Sequence, residues 1–425
     1  MNNIFLILGC AKQRWQDLEI ICEYVKKTYS LTTMLMVNKA HKEFYSVCDQ
    51  VIEVDLSDQN FIALASRLLS EQKVSGGLLF ADQALLHGTK LFEQLGIVCD
   101  NSELGINSYS KLEFRRQEKR YFSHAAKTHY FVPEFSKVNS LQDVHAFAVK
   151  YPDGFILKPI SEGGSRGVLK LHAQSDFGAA YKQVECYQAD GLMCEQLIPT
   201  FREFSFDGVG DISFITEKLV ATGAHPVEVG QIVPAELTCD SAEKISAHGR
   251  LMNLWVGQQL GAFHNEIAYL ESQGSTAAIE SNRRSGGMGI WNLAEKVFGE
   301  NLFHRWVDVA MGQTVEHIPL NATGKAMSCM LGSRENLIDD LTMITAQIQE
   351  VLAFELGPDI ELFSLRWLHT QPHMLPSIPQ SNFDFLAEAC IYCAHFDLSN
   401  QALYERVQRA WDKCLYIGMK EEKCA

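Results

Sequence analysis

The 425-residue sequence has no apolar run of about 18 residues, so no segment is predicted to cross a membrane. It also has no excess of positive charge. Its 37 Lys and Arg are outnumbered by 52 Asp and Glu, and the net charge of −15 argues against nucleic acid or an anionic membrane as the main partner. The twelve Cys follow no regular spacing, which is typical of reduced thiols in a cytoplasmic enzyme. The N-terminal apolar run has no basic region before it and predicts a β-strand instead of a secretion signal.

Several catalytic and cofactor-binding motifs are absent as well. The first predicted strand ends in GCAKQRW, which lacks the G-x-G-x-x-G of a dinucleotide-binding turn. The sequence contains no G-x-S-x-G nucleophile elbow and no H-E-x-x-H zinc motif. A single C-x-x-C, Cys390 and Cys393, lies in the apolar segment EACIYCAHF, which favours a buried strand or helix over a metal or redox site.

The first hundred residues alternate short apolar runs with amphipathic segments. The apolar runs predict buried parallel strands at Asn3–Gly9, Thr32–Val37, Gln50–Val54 and Gly76–Asp82. Helices are predicted between them, at residues 16–29, 60–72 and 83–95. This alternation is typical of a doubly wound α/β domain. Farther along the chain, the segment HPVEVGQIVPAEL, residues 225–237, is predicted to be mostly loop.

Residues 263–287, FHNEIAYLESQGSTAAIESNRRSGG, are predicted to form a β-hairpin. A turn near Gln273 pairs Glu266 with Glu280 and His264 with Asn282, all on one face of the hairpin. The other face is predicted to be an apolar layer of Phe263, Ile267, Tyr269, Ala277 and Ile279. Opposed carboxylates destabilise a bare hairpin unless a cation lies between them, and carboxylate and amide oxygens suit Mg²⁺. The alternative is a solvated strand face with ordinary charges.

A second motif is FILKPISEGGSRGV, residues 155–168, an apolar strand that runs into a glycine-rich loop. Lys158 within the apolar run is unfavourable unless it meets an anion. Gly163, Gly164 and Gly167 allow backbone N–H groups to approach a phosphate closely. The loop lacks the Walker A pattern. The alternative here is a mobile hairpin loop with an exposed lysine.

In their order along the chain, these motifs resemble the ATP-grasp superfamily over about residues 1–290. IESNRRSGG resembles the acidic–x–Asn–x–Arg strand of that family, and KPISEGGSRGV resembles its lysine strand and phosphate-covering loop. The resemblance implies an α/β and α+β ATP-grasp fold in which two α+β lobes enclose ATP. The implied domains are an N-terminal doubly wound domain at 1–105, a small lobe with linker helices at 106–190 and a large-lobe core at 191–290. Residues 291–425 would be the C-terminal part of the large lobe or an extension of it.

The resemblance also implies roles for individual residues. In the ATP site, Lys111 and Lys158 would hold the α- and β-phosphates, and Glu203 would bind the ribose. The loop that covers the phosphates would consist of Gly163, Gly164, Ser165, Arg166 and Gly167. The adenine would be held by Glu195, Gln196, Leu197 and Ile198. Lys218 would approach the γ-phosphate. Glu266, Glu280 and Asn282 would bind Mg²⁺, as two ions for which Mn²⁺ can substitute. Arg284 would lie over the reacting carboxylate.

Within the superfamily, the closest resemblance is to L-amino-acid ligases (dipeptide synthetases) and related carboxylate–amine ligases. It implies a substrate site of Glu228, Gln231, Arg284, Gly287 and Met288. Gln231 stands where that family has a His, and Met288 stands where some members have a bulky aromatic residue. The expected activity is ATP-dependent amide or dipeptide formation through an acyl phosphate, in a cytoplasmic enzyme with small acid and amine substrates, and homodimers are common among similar ligases. The alternatives are a biotin-carboxylase-like or purine-biosynthetic enzyme, or a nucleotide-binding protein without catalysis.

Overall fold

The structure is a computed structural model that describes residues 3–126, 128–164, 166–221, 227–315, 318–333, 345–369, 375–376, 379, 381–382 and 384–421. Its N-terminal domain is a parallel sheet in the order β3–β2–β1–β4. The four strands are β1 (Asn3–Leu8), β2 (Thr32–Val37), β3 (Gln50–Glu53) and β4 (Lys73–Leu79). Four helices lie between and after them: α1 (Trp15–Tyr24), α2 (Phe44–Val47), α3 (Phe61–Leu68) and α4 (Leu85–Leu95). The predicted doubly wound α/β arrangement is confirmed.

Two helices then lead into a small antiparallel lobe. They are α5 (Gly105–Tyr109) and α6 (Lys111–Phe122), and the Ser110 side chain caps α6 by accepting the Glu113 N–H at 3.3 Å. The sheet of the small lobe has the order β5–β8–β6–β7. Its elements are β5 (Phe135–Val138), α7 (Leu141–Lys150), β6 (Phe155–Pro159), β7 (Leu169–Leu171), α8 (Phe177–Val184) and β8 (Leu192–Gln196). Its core lies where α7 and α8 cover one face of this sheet.

The large lobe is a single eight-stranded sheet in the order β13–β12–β9–β10–β11–β14–β16–β15. Its strands are β9 (Arg202–Val209), β10 (Ile212–Val220), β11 (Glu228–Val233), β12 (Ala262–Leu270), β13 (Ser275–Asn282), β14 (Lys325–Leu331), β15 (Ile360–Trp367) and β16 (Ala387–Cys393). Its helices are α9 (Cys239–Val256), α10 (Ile290–Phe298), α11 (Leu302–Ala310), α12 (Thr345–Leu356) and α13 (Asn400–Glu421). The last three strands therefore continue the sheet that contains the hairpin. No helix in the described residues is long and apolar enough to span a membrane.

The segment predicted to be mostly loop contains a central strand of this sheet. Residues 228–233 form β11, which pairs with β10 on one side and β14 on the other. Most of β11 is buried, so its sequence EVGQIV does not show the alternation of a half-exposed strand. The prediction of loop was therefore wrong for these residues, while residues 225 and 226 lie outside the described part of the chain.

The register of the hairpin confirms one predicted face and corrects the other. Glu266 pairs with Glu280 and His264 with Asn282, as predicted. A β-bulge then shifts the register, so that Ile267 pairs with Ala278 and Ile279 is the extra residue. Ala277 and Ile279 consequently do not join the apolar layer of Phe263, Ile267 and Tyr269. They belong to a different apolar cluster with Phe131, Ile198, Ala268 and Leu270.

Candidate active site

One buried lysine lies among three carboxylates at the centre of the large sheet. The Lys218 Nζ is 2.6 Å from Glu266 Oε1, 3.0 Å from Glu203 Oε1 and 3.7 Å from Glu228 Oε1. These residues come from four adjacent strands, and Lys218 is the direct cross-strand partner of Glu203. Burial alone would lower the pKa of Lys218, but the three carboxylates raise it well above its usual value. One lysine faces three acids here, and this excess of negative charge favours binding of a further cation.

The second hairpin carboxylate, Glu280, has its own lysine. The Lys111 Nζ lies 2.8 Å from Glu280 Oε2 and also donates to the Glu162 carbonyl at 2.7 Å. Asn282 Nδ2 donates to Glu280 Oε1 at 3.2 Å. Burial alone would raise the pKa of Glu280, but Lys111 lowers it, so the carboxylate is held ionised. Lys111 therefore links the hairpin to the start of the glycine-rich loop.

The donor set of the hairpin fits Mg²⁺ that is shared with a ligand. It offers two carboxylates and an amide, and among the described residues no group of three or more His, Cys, Asp or Glu side chains forms a complete metal-binding cluster. Mg²⁺ characteristically takes one or two protein carboxylates and completes its octahedron with phosphate and water oxygens. Glu266, Glu280 and Asn282 match that requirement.

Glu266 is supported by His264, which was predicted to lie on the same hairpin face, and by Asp207, which was not predicted. His264 Nδ1 is 2.6 Å from Asp207 Oδ1, and its Nε2 is 3.3 Å from Glu266 Oε1. Burial would lower the pKa of His264, but Asp207 and Glu266 raise it to about 9, so the ring donates to both carboxylates. A signal was present in the sequence, because Asp207 follows Glu203 at an even spacing on β9 and therefore points to the same face.

Lys158 occupies a buried ion-pair network on the small lobe. Its Nζ is 2.9 Å from Glu195 Oε1, and Arg115 Nε is 2.7 Å from Glu195 Oε2. Burial would raise the pKa of Glu195, but the two cations lower it to about 2. Both Glu195 oxygens thus bind cations, so this side chain holds Lys158 in place instead of pointing to a base. Arg115 was not predicted, because nothing in the charged segment KLEFRRQEKR distinguishes a buried arginine from an exposed one.

The predicted adenine and phosphate loops lie beside this network. Ile198 packs in the apolar cluster that contains Ile279, and such a surface suits the flat face of a base. The Gln196 N–H donates to the Glu134 carbonyl at 2.8 Å, and the Leu197 side chain covers Gly154. In the glycine-rich loop, Gly164 and Gly167 have φ values of 64° and 69°, which other residues rarely adopt. Gly163 and Arg166 flank the turn, whereas Ser165 lies outside the described residues.

The predicted substrate residues Glu228, Gln231 and Met288 are in contact. Gln231 Nε2 donates to Glu228 Oε1 and lies 3.6 Å from Met288 Sδ. Gln231 is 2% exposed, and its Oε1 has no hydrogen-bond partner among the described residues. Burial raises the pKa of Glu228 to about 7, with Lys218 opposing that rise. The pocket thus offers an unused acceptor beside a carboxyl group that titrates near neutrality.

Arg284 joins this site to the N-terminal domain. Its Nε is 2.7 Å from Asp82 Oδ2, just beyond the end of β4. Burial would lower the pKa of Arg284, but Asp82, Glu280 and Glu266 raise it. Gly287, which follows nearby, is half-buried and has open space around its α-carbon.

Comparison with known proteins identifies the fold. No protein-family model and no curated protein matches the sequence. The structure is similar to that of an L-amino acid ligase from Bacillus licheniformis, with a TM-score of 0.76 and 16% identity over 96% of this chain and 98% of that chain. The chain has the ATP-grasp fold. The fold that the motif resemblance implied is therefore confirmed.

Other ATP-grasp structures are similar to a comparable degree. An N5-carboxyaminoimidazole synthetase from Staphylococcus aureus, solved with ADP, has a TM-score of 0.67 and 14% identity over 96% of this chain and 97% of that chain. The biotin carboxylase domain of a Hydrogenobacter thermophilus 2-oxoglutarate carboxylase, solved with MgADP, ADP and bicarbonate, has a TM-score of 0.64 and 14% identity over 92% and 86% of the two chains. At these identities the similarity establishes the ATP-grasp fold. It does not assign the substrates of any neighbour to this chain.

Proposed function

We propose that the protein is an ATP-dependent carboxylate–amine ligase that forms an amide or dipeptide bond and releases ADP and phosphate, with an L-amino acid as one substrate. The observation that carries this proposal is the direct pairing of Glu266 with Glu280 on the bulged hairpin, one carboxylate beside Lys218 and the other beside Lys111. Opposed, partly buried carboxylates with flanking lysines suit the Mg²⁺ and phosphates of a nucleotide.

ATP and Mg²⁺ are the proposed cofactors, and neighbours with this fold have been solved with ADP or MgADP. Glu266, Glu280 and Asn282 would hold Mg²⁺, as one or two ions that Mn²⁺ can replace. The metal would supply charge neutralisation for the transferred phosphoryl group. Lys158 and Lys111 would lie along the phosphates, because the first is buried, the second is partly buried, and both now pair with carboxylates.

A carboxylate must be activated before it can form an amide bond with an amine. Without activation the acid only transfers a proton to the amine, and hydroxide is a poor leaving group. Transfer of the γ-phosphoryl group to the acid produces an acyl phosphate with a good leaving group. Arg284 would orient the acid and stabilise the oxyanion that develops from it. Lys218 would supply positive charge beside the transferred group. The glycine-rich loop would keep water from the intermediate.

The amine must lose its proton before it attacks the acyl phosphate. Glu228 can accept that proton, because its pKa of about 7 keeps it largely ionised at slightly alkaline pH and makes it a fair base. The unpartnered Gln231 Oε1 provides an acceptor that can orient an amine N–H. Met288, in contact with Gln231, is a flexible side chain that would admit a donor longer than alanine.

The partners that this function requires are a small carboxylic acid and an amine or amino acid. A cytoplasmic setting suits the use of ATP and the free thiols, and we extend the proposal to a homodimer because one neighbour was solved as a dimer. Nucleic acid and membranes have no part in it, in keeping with the acidic sequence.

A biotin-carboxylase-like or purine-biosynthetic reaction is the alternative, because structures of both kinds share the fold. It would keep the nucleotide chemistry and change the acceptor. The contact of Glu228 with Gln231 favours an amine acceptor over bicarbonate, since both side chains offer hydrogen-bond acceptors. A protein that only binds nucleotide is a further alternative, which would release no phosphate in response to any substrate.

The proposal is tested by measuring ADP release with pairs of amino acids and small acids, and by mass spectrometry of the products. An amine-dependent product with one ADP per bond supports the ligase. Lys158→Ala and Glu280→Ala should abolish turnover, whereas Lys170→Ala and Glu271→Ala, at exposed positions, should not. Undiminished turnover in both site variants would overturn the assignment, and ADP release that needs bicarbonate but no amine would support the alternative reaction.

A further inference from the structure

Three arginines from distant parts of the chain converge beside the active site, although the protein is strongly acidic. Arg14 Nη1 and Arg284 Nη1 donate to the same carbonyl oxygen, that of Ser285, at 3.2 and 3.1 Å. Arg14 Nη2 also donates to the Ser285 hydroxyl at 2.8 Å. Arg366, on β15, donates through Nη1 to the carbonyl of Gln13, the residue before Arg14. We call Arg14, Arg284 and Arg366 the arginine corner.

The arginine corner lies at the position where an open α/β sheet most often binds a ligand. The order β3–β2–β1–β4 has its switch point between the parallel strands β1 and β4, and sheets of this kind commonly bind ligands beyond the carboxyl ends of the strands at that point. Arg14 follows β1, and its guanidinium lies 4.5 Å from the ring centroid of Phe80, which follows β4. Stacking on a buried ring fixes the plane of the guanidinium and aims its N–H groups.

Each arginine of the corner is held by a carboxylate, and one of these carboxylates is easily displaced. Arg14 pairs with Asp17 at 2.8 Å, and Arg366 pairs with the buried Glu388. Asp82, the partner of Arg284, is 46% exposed, so water can replace its single contact at little cost. Two guanidinium groups that donate to one neutral carbonyl oxygen would be stabilised more strongly by an anion bound between them than by that carbonyl.

We propose that Arg14, supported by Arg366, binds a second anionic group of the acid substrate while Arg284 binds the carboxylate that reacts. The preferred acid is then dianionic, either a dicarboxylic or a phosphorylated amino acid. This inference rests on the proposed function for the role of Arg284. It adds a residue of the N-terminal domain to the substrate site and explains why that domain contacts the loop after the hairpin.

The test compares anionic acids with neutral acids of the same shape, in the presence of ATP, Mg²⁺ and a fixed amine. L-Glutamate and O-phospho-L-serine are matched with L-glutamine and L-serine. We expect kcat/KM to favour the anionic member of a pair at least tenfold. The pair with the larger ratio shows whether the second group is a carboxylate or a phosphate. Equal or better use of both neutral acids would overturn the proposal.

The variant for this test is Arg14→Met, which keeps the length of the side chain and removes its charge. We expect it to lower kcat/KM by 10- to 100-fold for the anionic acids, mainly through KM, and to leave the neutral acids nearly unchanged. Arg14→Lys should recover part of the loss. Lys12→Met is the control, because Lys12 is on the same loop with a side chain that is 54% exposed. An equal loss for anionic and neutral acids would overturn the proposal.

Direct binding separates this inference from the proposed function. Calorimetric titration of L-glutamate, O-phospho-L-serine and their neutral counterparts into the ADP–Mg²⁺ complex requires no turnover. If no acid supports ADP release but Arg14→Met still weakens binding of the anions, the anion site stands and the ligase proposal fails. If neutral acids are ligated and Arg14→Met changes neither binding nor turnover, the ligase stands and the anion site fails.

Discussion

Glu228 shows at the scale of a single residue how burial prepares a group for catalysis. Its pKa of about 7 means that the carboxylate needed to accept a proton from the amine is about half formed at neutral pH and predominates at higher pH. We expect kcat/KM for the amine to rise through pH 7 and to level off above it. Glu228→Gln should remove that rise and lower kcat/KM by 10²- to 10⁴-fold. A pH–rate profile of both proteins checks this, and an unchanged rise in the variant would assign the pKa to another group.

The same raised pKa predicts that Glu228→Gln, which should lower activity, increases the stability of the folded protein at high pH. The folded protein holds the Glu228 proton up to about pH 7, whereas the unfolded chain releases it near its ordinary pKa of 4.5. Ionisation therefore favours the unfolded state as the pH rises between these values. Above pH 7 the variant should be more stable than the parent, by on the order of 3 kcal/mol at most. Below about pH 4.5 the difference should disappear, as urea unfolding at several pH values will show.

Arg115 is a residue whose importance is invisible in the sequence. It is 1% exposed, and it bonds to Glu195, Glu118 and the Ala278 carbonyl. Arg115→Met would leave two buried carboxylates without this cation, so we expect the free energy of unfolding to fall by about 3–5 kcal/mol. Arg116→Met is the matched control, because its side chain is 50% exposed and should change stability by less than about 0.5 kcal/mol. Equal urea midpoints for the two variants would contradict this account.

The residues that could be predicted are those whose type conflicts with their surroundings. Glu266, Glu280 and Lys158 are charged groups in apolar strands, and local sequence reveals that conflict. Arg115 and Arg14 lie in polar segments, and only tertiary packing buries one and brings the other to Ser285. Long-range contacts of that kind leave no local pattern.

At the scale of elements, the alternation of side chains along a strand predicted the pairing of the hairpin correctly as far as the β-bulge at Ile279. The pairing of Glu266 with Glu280 follows from a turn position and a period of two. The bulge beside that pair moves Ile279 and Ala277 to the other face, and no residue type announces it. The bulge is what places an apolar surface next to the carboxylates. Strand β11 was not predicted for a related reason, because burial on both faces removes the alternation of apolar and polar residues.

The packing of helix α9 on β9 depends on a glycine. A Cβ atom at Gly249 would lie 2.3–2.6 Å from three atoms of the buried Phe206 side chain. Gly249→Ala should therefore destabilise the protein by about 1–3 kcal/mol, although alanine favours helix. Gly178→Ala in α8 is the matched control, because its Cβ would meet only Asp176 Oδ1 at 3.4 Å. It should stabilise by about 0.5 kcal/mol. Unfolding curves that rank the two variants in the opposite order would contradict this view of the interface.

At the scale of the whole molecule, a continuous sheet and an excess of negative charge shape the site. The doubly wound domain and the central hairpin were accessible from the sequence, because each is built from neighbouring segments. The resemblance implied that residues 291–425 belong to the large lobe or extend it, but the order in which β14, β16 and β15 continue the sheet of the hairpin was not predicted. Strands separated by dozens of residues pair across other elements and leave no local signal of their order. As a result the C-terminal region carries Arg366 to the N-terminal loop.

The charge balance of the site predicts that metal and nucleotide stabilise the entire protein together. Four carboxylates, Glu203, Glu228, Glu266 and Glu280, surround two lysines, so Mg²⁺ relieves repulsion that ADP alone would increase. ADP with Mg²⁺ at about 100 times its Kd should raise Tm by about 3 °C, and ADP with EDTA should raise it by less. Glu280→Gln should lose most of the Mg²⁺-dependent part, whereas Glu271→Gln, in the exposed hairpin turn, should keep it. Equal shifts with Mg²⁺ and with EDTA in the parent protein would mean that the metal binds elsewhere or not at all.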